Sequence, residues 1–198
     1  EFAFVSSGAV AAGRAKASDG VDFAVGRGFD YNYSGSGTPG PVAPLYSSAQ
    51  WIGASSWCSV NYSMNYYLGK GISPGKLMLG VPYYGRRWAA ESTSLGAASL
   101  GSAYSAALSY GSCESAAATY GKLWDTNGSV PYYVYTANST NYQCFYDDTN
   151  SLGLKYDLSE SKDMGGIGIW NLTQGICETE LWNLIGEKFG GEGGGAAG

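Results

Sequence analysis

The residues able to do chemistry in this chain fall into three groups. Asp147 and Asp148 stand side by side, as paired carboxylates do in general acid–base work. Asp30 lies in Arg27-Gly28-Phe29-Asp30-Tyr31-Asn32, a carboxylate among aromatic and amide neighbours, at the start of a long loop rich in Gly and Pro. Tyr83, Tyr84, Arg86, Arg87 and Trp88 directly follow the short apolar run Leu77–Val81. A strand that ends in aromatic and cationic groups suits a binding site better than a plain turn. The chain has no histidine, which excludes a histidine general base, a Ser-His-Asp triad and a His-ligated metal within it. Cys58, Cys113, Cys144 and Cys177 lie far apart with no CxxC spacing, so neither a zinc ribbon nor any other metal centre is expected. No sequence feature calls for a cofactor.

With 198 residues the chain is long enough for one core, or one core and a small subdomain. Its net charge of -5 and its lack of any Lys/Arg cluster argue against nucleic acid. No polybasic or amphipathic segment points to a membrane surface. An even cysteine count in a chain with 17 Tyr and 31 Gly favours disulfides in a secreted protein. Of the three possible pairings, Cys113–Cys144 with Cys58–Cys177 is preferred, and four free buried thiols compete with it. Asn-X-Ser/Thr sequons begin at Asn32, Asn61, Asn127, Asn138 and Asn171, weak singly but together consistent with secretion. The chain opens at Glu1-Phe2-Ala3-Phe4-Val5, which reads as a strand, so a preceding segment is expected.

The elements that position these residues follow from periodicity. Residues 2–6 and Val21–Val25 read as strands, and the Ala-rich residues 8–18 as a helix weakened by two glycines. Val60, Met64, Tyr67 and Leu68 share one helix face, closed by Gly69 and Gly71. The apolar run Leu77–Val81, bounded by Gly75 and Pro82, predicts a strand buried on both faces of a parallel sheet. Residues 21–82 therefore form one βαβ unit. Residues 86–163 break the rhythm and read as an α+β insertion with strands at Tyr132–Tyr135 and Tyr142–Tyr146. Gly165–Trp170 is another buried strand, and a helix over Glu178–Phe189 would bury Leu181, Trp182 and Ile185. Residues 190–198 form a Gly-rich tail.

Three ordered segments carry a resemblance: GFDYNYSGSGTPGPVAPL (28–45), GKLMLGVPYYGRRW (75–88), and WDTNGSVPYYVY, YDDTNSLGLKYDL and GGIGIWNL between Trp124 and Leu172. Together they resemble the C-terminal half of a family 18 glycoside hydrolase, of the chitinase-like kind related to bacterial spore-cortex and chitin-degrading enzymes. The resemblance implies an α/β fold, a partial (β/α)₈ TIM barrel. Strands five to eight would be residues 2–6, 21–27, 76–82 and 165–170. Residues 1–85 and 164–189 would be the half-barrel and 86–163 a chitinase-insertion-like α+β subdomain. A full barrel needs roughly 250 residues. Another chain or a further segment is thus expected to complete it.

The family mechanism is substrate-assisted. A glutamic acid protonates the leaving oxygen, and the substrate's own N-acetyl carbonyl attacks the anomeric carbon. That acid belongs to a DxxDxDxE motif on strand four, which this sequence does not contain, so no catalytic residue is assigned here. Where the family carries Met-x-Tyr-Asp-Tyr, Arg27 replaces an apolar residue beneath the sugar and Phe29 replaces the tyrosine that polarises the acetamido oxygen. The resemblance nominates Asp30, Tyr31, Tyr84, Arg86 and the subsite-floor residue Trp170 as substrate-binding. Arg86 has an alternative, an ion pair with Asp30 or Asp147. The resemblance assigns Asp147 and Asp148 structural or substrate-contacting roles, not the acid pair. Thr173-Gln174-Gly175 stands where the family often has Gly-Tyr-Asp, a polar feature lost. Glycans on Asn32 and Asn171 would crowd the cleft. The expectation is a secreted, degenerate homologue that binds an N-acetylglucosamine-containing glycan or serves a structural role. The alternatives are the C-terminal portion of an active hydrolase, or a subunit of an extracellular matrix or filament assembly.

Overall fold

The computed structural model describes residues 2–5, 22–52 and 57–190. The helix expected over 8–18 and the tail from 191 lie outside the described residues. Four strands, β1 (Phe2–Val5), β2 (Phe23–Arg27), β3 (Leu77–Pro82) and β9 (Gly166–Trp170), form an all-parallel sheet in the order β1-β2-β3-β9. β2 sits two residues later than the run Val21–Val25 suggests. Gly26 and Arg27 still pair with Leu79 and Gly80, so the ladder, not the apolar pattern, sets the end.

Leu77, Leu79 and Val81 point to one face of the sheet and are fully buried under three helices. Helix α1 (Val60–Gly69) begins at Ser59, whose hydroxyl accepts from the Tyr62 amide at 3.3 Å. Its Met64 and Tyr67 press onto β2 at Gly26, where a Cβ would meet the Met64 methyl at 2.9 Å. The opposite face alternates: Phe23 and Trp170 are exposed, and Val25 and Met78 are half-buried. Among the described residues β1 and β9 are the outer strands of this sheet.

A second sheet is antiparallel. Its strands are β4 (Tyr84–Ala90), β5 (Ser105–Ser109), β6 (Leu123–Asp125), β7 (Val130–Ala137) and β8 (Thr140–Phe145), in the order β5-β4-β8-β7-β6. Helix α2 (Tyr110–Tyr120) covers one face, packing Cys113 and Ala117 on Tyr133, Cys144 and Tyr146. Trp88, Val130 and Phe145 cluster on the other. Helix α3 (Thr149–Ser161) follows this sheet in the chain but packs on the parallel one, contributing Leu152 and Tyr156 to its core.

Helix α4 (Thr179–Phe189) closes the described chain. It buries Leu181 and Leu184, whereas Trp182 is exposed with its indole N–H donating to the Ile176 carbonyl at 3.2 Å. Leu184 lies one turn from Leu181 and shares its face, and Trp182 does not. The expected burial of Trp182 is therefore corrected.

Candidate carbohydrate-binding site

The turn past β2, the strands β4 and β5, and the end of β9 with the turn after it deliver side chains to one small cavity. Past β2, the Gly28 amide donates to the Gly80 carbonyl at 3.0 Å, and a Cβ on Gly28 would lie 2.5 Å from that oxygen. The chain then turns through Asp30, whose φ is +58°. This turn aims the Asp30 carboxylate at β4, where Oδ1 accepts from the Tyr84 hydroxyl at 2.5 Å. Oδ2 takes an ion pair from Arg27. Burial and the neighbouring Asp30 carboxylate both raise the Tyr84 hydroxyl far above the ordinary tyrosine range, so it remains a donor.

Trp170 ends β9, joined to Asn171 by a cis peptide. Its indole is 49% exposed and stacks on Phe29 with centroids 6.2 Å apart and planes 23° apart. Phe29, only 7% exposed, meets Tyr84 edge-on at 6.3 Å and carries the Arg27 guanidinium 5.0 Å from its centre. Arg86 on β4 donates to the Ser105 hydroxyl on β5 at 3.2 Å, while its buried Nε has no hydrogen-bond partner. Asp30, Tyr84, Arg86 and Trp170, with Ala107, Asn171 and Gln174, enclose about 200 Å³. The cavity thus joins a flat aromatic face to a carboxylate, a guanidinium and two amides. That set can stack on a ring and bond its hydroxyl and amide substituents. Among the described residues Asp30 is the one carboxylate that lines it, so these side chains do not form an acid–base pair.

Several nominated residues sit elsewhere. Tyr31 points away: its hydroxyl donates to Ser63 on α1 at 2.6 Å, and burial raises its pKa. The strand-end turn at Asp30 separates the two neighbouring side chains. Asp148 caps α3 in a reciprocal capping box with Ser151. Asp147 is buried in an ion pair with Lys155 on the next turns of α3 and also accepts from Ser151 at 2.7 Å. Arg86 pairs with neither Asp30 nor Asp147; Arg27 and Lys155 hold those carboxylates. Gln174 lines the cavity, so a polar side chain survives where the motif comparison suggests a loss. Ala107 also went unforeseen, because only the register of β5 against Arg86 on β4 brings it there.

All four cysteines are free. Cys113 and Cys144 face each other across the α2–sheet interface with sulfurs 4.0 Å apart, while Cys58 is buried and Cys177 exposed. The expected pairings are therefore not formed in this structure. Asn32 is 2% exposed and its amide donates to the Pro41 carbonyl at 2.8 Å, which removes it as a glycan acceptor in the folded chain. Asn127 and Asn138 are exposed in turns, Asn61 is half-buried on α1, and Asn171 lines the cavity. Among the described residues no group of three His, Cys, Asp or Glu can hold a metal ion, and no helix is long and apolar enough to cross a membrane.

The family described as Glycosyl hydrolases family 18 matches residues 6–175. "Probable chitinase 10" of Drosophila melanogaster is 27% identical over 79% of this chain and 7% of that protein. "Chitinase-3-like protein 2" of Homo sapiens is 28% identical over 67% of this chain and 35% of that protein. The solved GH18 chitinase of Cycas revoluta in complex with (GlcNAc)3 superposes with a TM-score of 0.72 at 24% identity, over 87% of this chain and 48% of that one. The chain thus spans about half the length of that solved relative and a smaller share of the two curated ones. Its mixed α/β fold is part of the TIM-barrel fold of such chitinases, and the chain belongs to glycoside hydrolase family 18.

Proposed function

We propose that the chain is the C-terminal half of a secreted chitinase-like barrel whose cleft binds chains of β-1,4-linked N-acetylglucosamine without hydrolysing them alone. In this reading β1, β2, β3 and β9 are barrel strands five to eight, residues 1–85 and 164–189 form the half-barrel, and 86–163 are the insertion. The compact part of that insertion ends with β8, since α3 packs back on the parallel sheet. One observation carries the reading: a half-exposed Trp170 is backed by a buried Phe29 inside a ring of Asp30, Tyr84 and Arg86. Indole offers its flat apolar face to the C–H side of a sugar, and the polar ring answers its substituents. Asp30 would contact the acetamido group. With Arg27 and Tyr84 already on its oxygens, that contact is weak.

A second reading keeps catalysis. The chain spans 48% of the Cycas revoluta chitinase, leaving room for a strand-four acid motif in the remainder of the protein. In that case Asp30, Tyr84, Arg86 and Trp170 hold the sugar while the absent glutamic acid supplies the proton. Incubating this chain alone with a chromogenic N-acetylglucosamine oligomer tests the proposal, and the sequence of the remainder of the protein separates the two readings. The proposal predicts binding without turnover. Turnover by this chain alone overturns it, and a DxxDxDxE motif encoded upstream favours the second reading. A secreted product would further be expected to join Cys113 to Cys144 and to carry glycan on Asn127 or Asn138.

A further inference from the structure

The outward face of α1 forms a second groove, about 420 Å³ in volume, lined by Tyr46, Tyr62, Tyr66, Asn61, Asn65 and two serines. The helix repeat separates these residues from Val60, Ser63, Met64 and Tyr67, which face the core. Tyr62 and Tyr66, one turn apart, hold their rings nearly parallel, 6.4 Å between centroids and 13° between planes. Tyr62 is 44% exposed and Tyr46 51%. The Lys70 amine lies 5.2 Å from the centre of Tyr66 and occupies one face of that ring, so Tyr62 and Tyr46 are the open platforms. The Asn65 amide nitrogen donates to Asn61 Oδ1 at 3.2 Å, and Asn65 Oδ1 accepts from Lys162 at 2.7 Å. Both amide planes are thereby fixed.

Among the described residues the lining carries no carboxylate, and the two amines beside it, Lys70 on Tyr66 and Lys162 on Asn65, are already engaged. A cationic ligand finds no carboxylate there, and an anionic one meets only amines already held by Tyr66 and Asn65. A purely apolar partner would bury the asparagine amides and tyrosine hydroxyls without replacing their bonds to water, which is unfavourable. A neutral ring with one apolar face and a hydroxyl or amide rim satisfies each group. The groove opens beside the same loop that carries Asp30, and Tyr31 ties that loop to α1 through Ser63.

We propose that this groove is a second saccharide site, distinct from the Trp170 cavity, taking an uncharged N-acetylhexosamine chain. The identity of the sugar rests on the proposed function above; the site itself rests on the groove. The test titrates a soluble N-acetylglucosamine tetramer into the chain, produced without N-glycosylation, and follows both sites by NMR. Tyr62→Ser should weaken the groove about tenfold, the loss of one aromatic anchor, and leave Trp170 shifts unchanged. Trp170→Ala should do the reverse. Tyr46→Ser, on a loop rather than a helix, should repeat the Tyr62 result and guards against a folding defect. Shifts confined to the Trp170 cavity in every variant overturn this inference and leave the proposed function standing. Shifts confined to the groove support it and overturn the cavity reading. Shifts at neither overturn both.

Discussion

Arg27 and Asp30, three residues apart, form an ion pair at the rim of the cavity, and the same guanidinium lies 5.0 Å over the Phe29 ring. With Tyr84 on the other oxygen, the carboxylate is engaged from both sides. The pair is half open to solvent, so it contributes little to stability, within about 1 kcal/mol. Its expected effect is on binding. Arg27→Met should leave the unfolding midpoint almost unchanged and tighten oligosaccharide binding several-fold by calorimetry. Unchanged affinity would remove the lock from the account.

Phe29→Tyr adds a hydroxyl where the family carries one. Phe29 is packed between Trp170 and Tyr84, so the new group sits within the same aromatic cluster. Affinity for an acetamido sugar should rise, and affinity for the matching sugar without the acetamido group should not. Equal changes for both ligands would show that the hydroxyl does not reach the acetamido oxygen.

How much of this was legible beforehand depends on the kind of signal. The strand at Leu77 and the α1 face of Val60, Met64 and Tyr67 follow from apolar periodicity, which depends on local neighbours. The expected strand Val21–Val25 slid to Phe23–Arg27 because its end is set by pairing with Leu79 and Gly80, over fifty residues away in the chain. Trp170, Asp30, Tyr84 and Arg86 converge as motif comparison suggests. Tyr31 does not, because backbone rotation at Asp30 decides which of two adjacent side chains enters the cavity. Lys155 had no signal at all: nothing in a helix pattern says that a lysine will be fully buried against Asp147.

That pair sets the next expectation. Lys155 and Asp147 are 0% and 1% exposed. Removing one partner leaves a buried unpaired charge, which costs about 3–5 kcal/mol. Lys155→Met should therefore lower stability by that amount in urea unfolding. Replacing both residues with apolar ones of similar volume should recover much of the loss. A Lys155→Met chain as stable as the parent would show that the pair is solvated.

Alkaline pH should unfold the chain through its buried tyrosines. Burial, then the neighbouring Tyr66, raises Tyr67 from 10.0 to about 12. Burial also raises Tyr31, Tyr84 and Tyr156. The folded state then holds more protons than the unfolded one once pH exceeds 10.0, so stability falls as pH rises. The Tyr67 contribution is fully present below pH 10 and lost by about pH 12. Tyrosinate absorbance should lag the titration of free tyrosine, then appear together with the loss of ellipticity. Smooth titration of all tyrosines before unfolding would contradict the burial pattern.

The central claim is that Trp170, backed by Phe29, makes the floor of a sugar site. Its most direct measurement is NMR titration of an N-acetylglucosamine trimer, observed at the Trp170 indole N–H in the parent chain and at the Gln174 amide in Trp170→Ala. The account predicts saturable shifts at Trp170 and Gln174, with the Gln174 response lost on removing the indole. An unmoved indole in the parent chain, or an undiminished Gln174 response without it, would contradict the account.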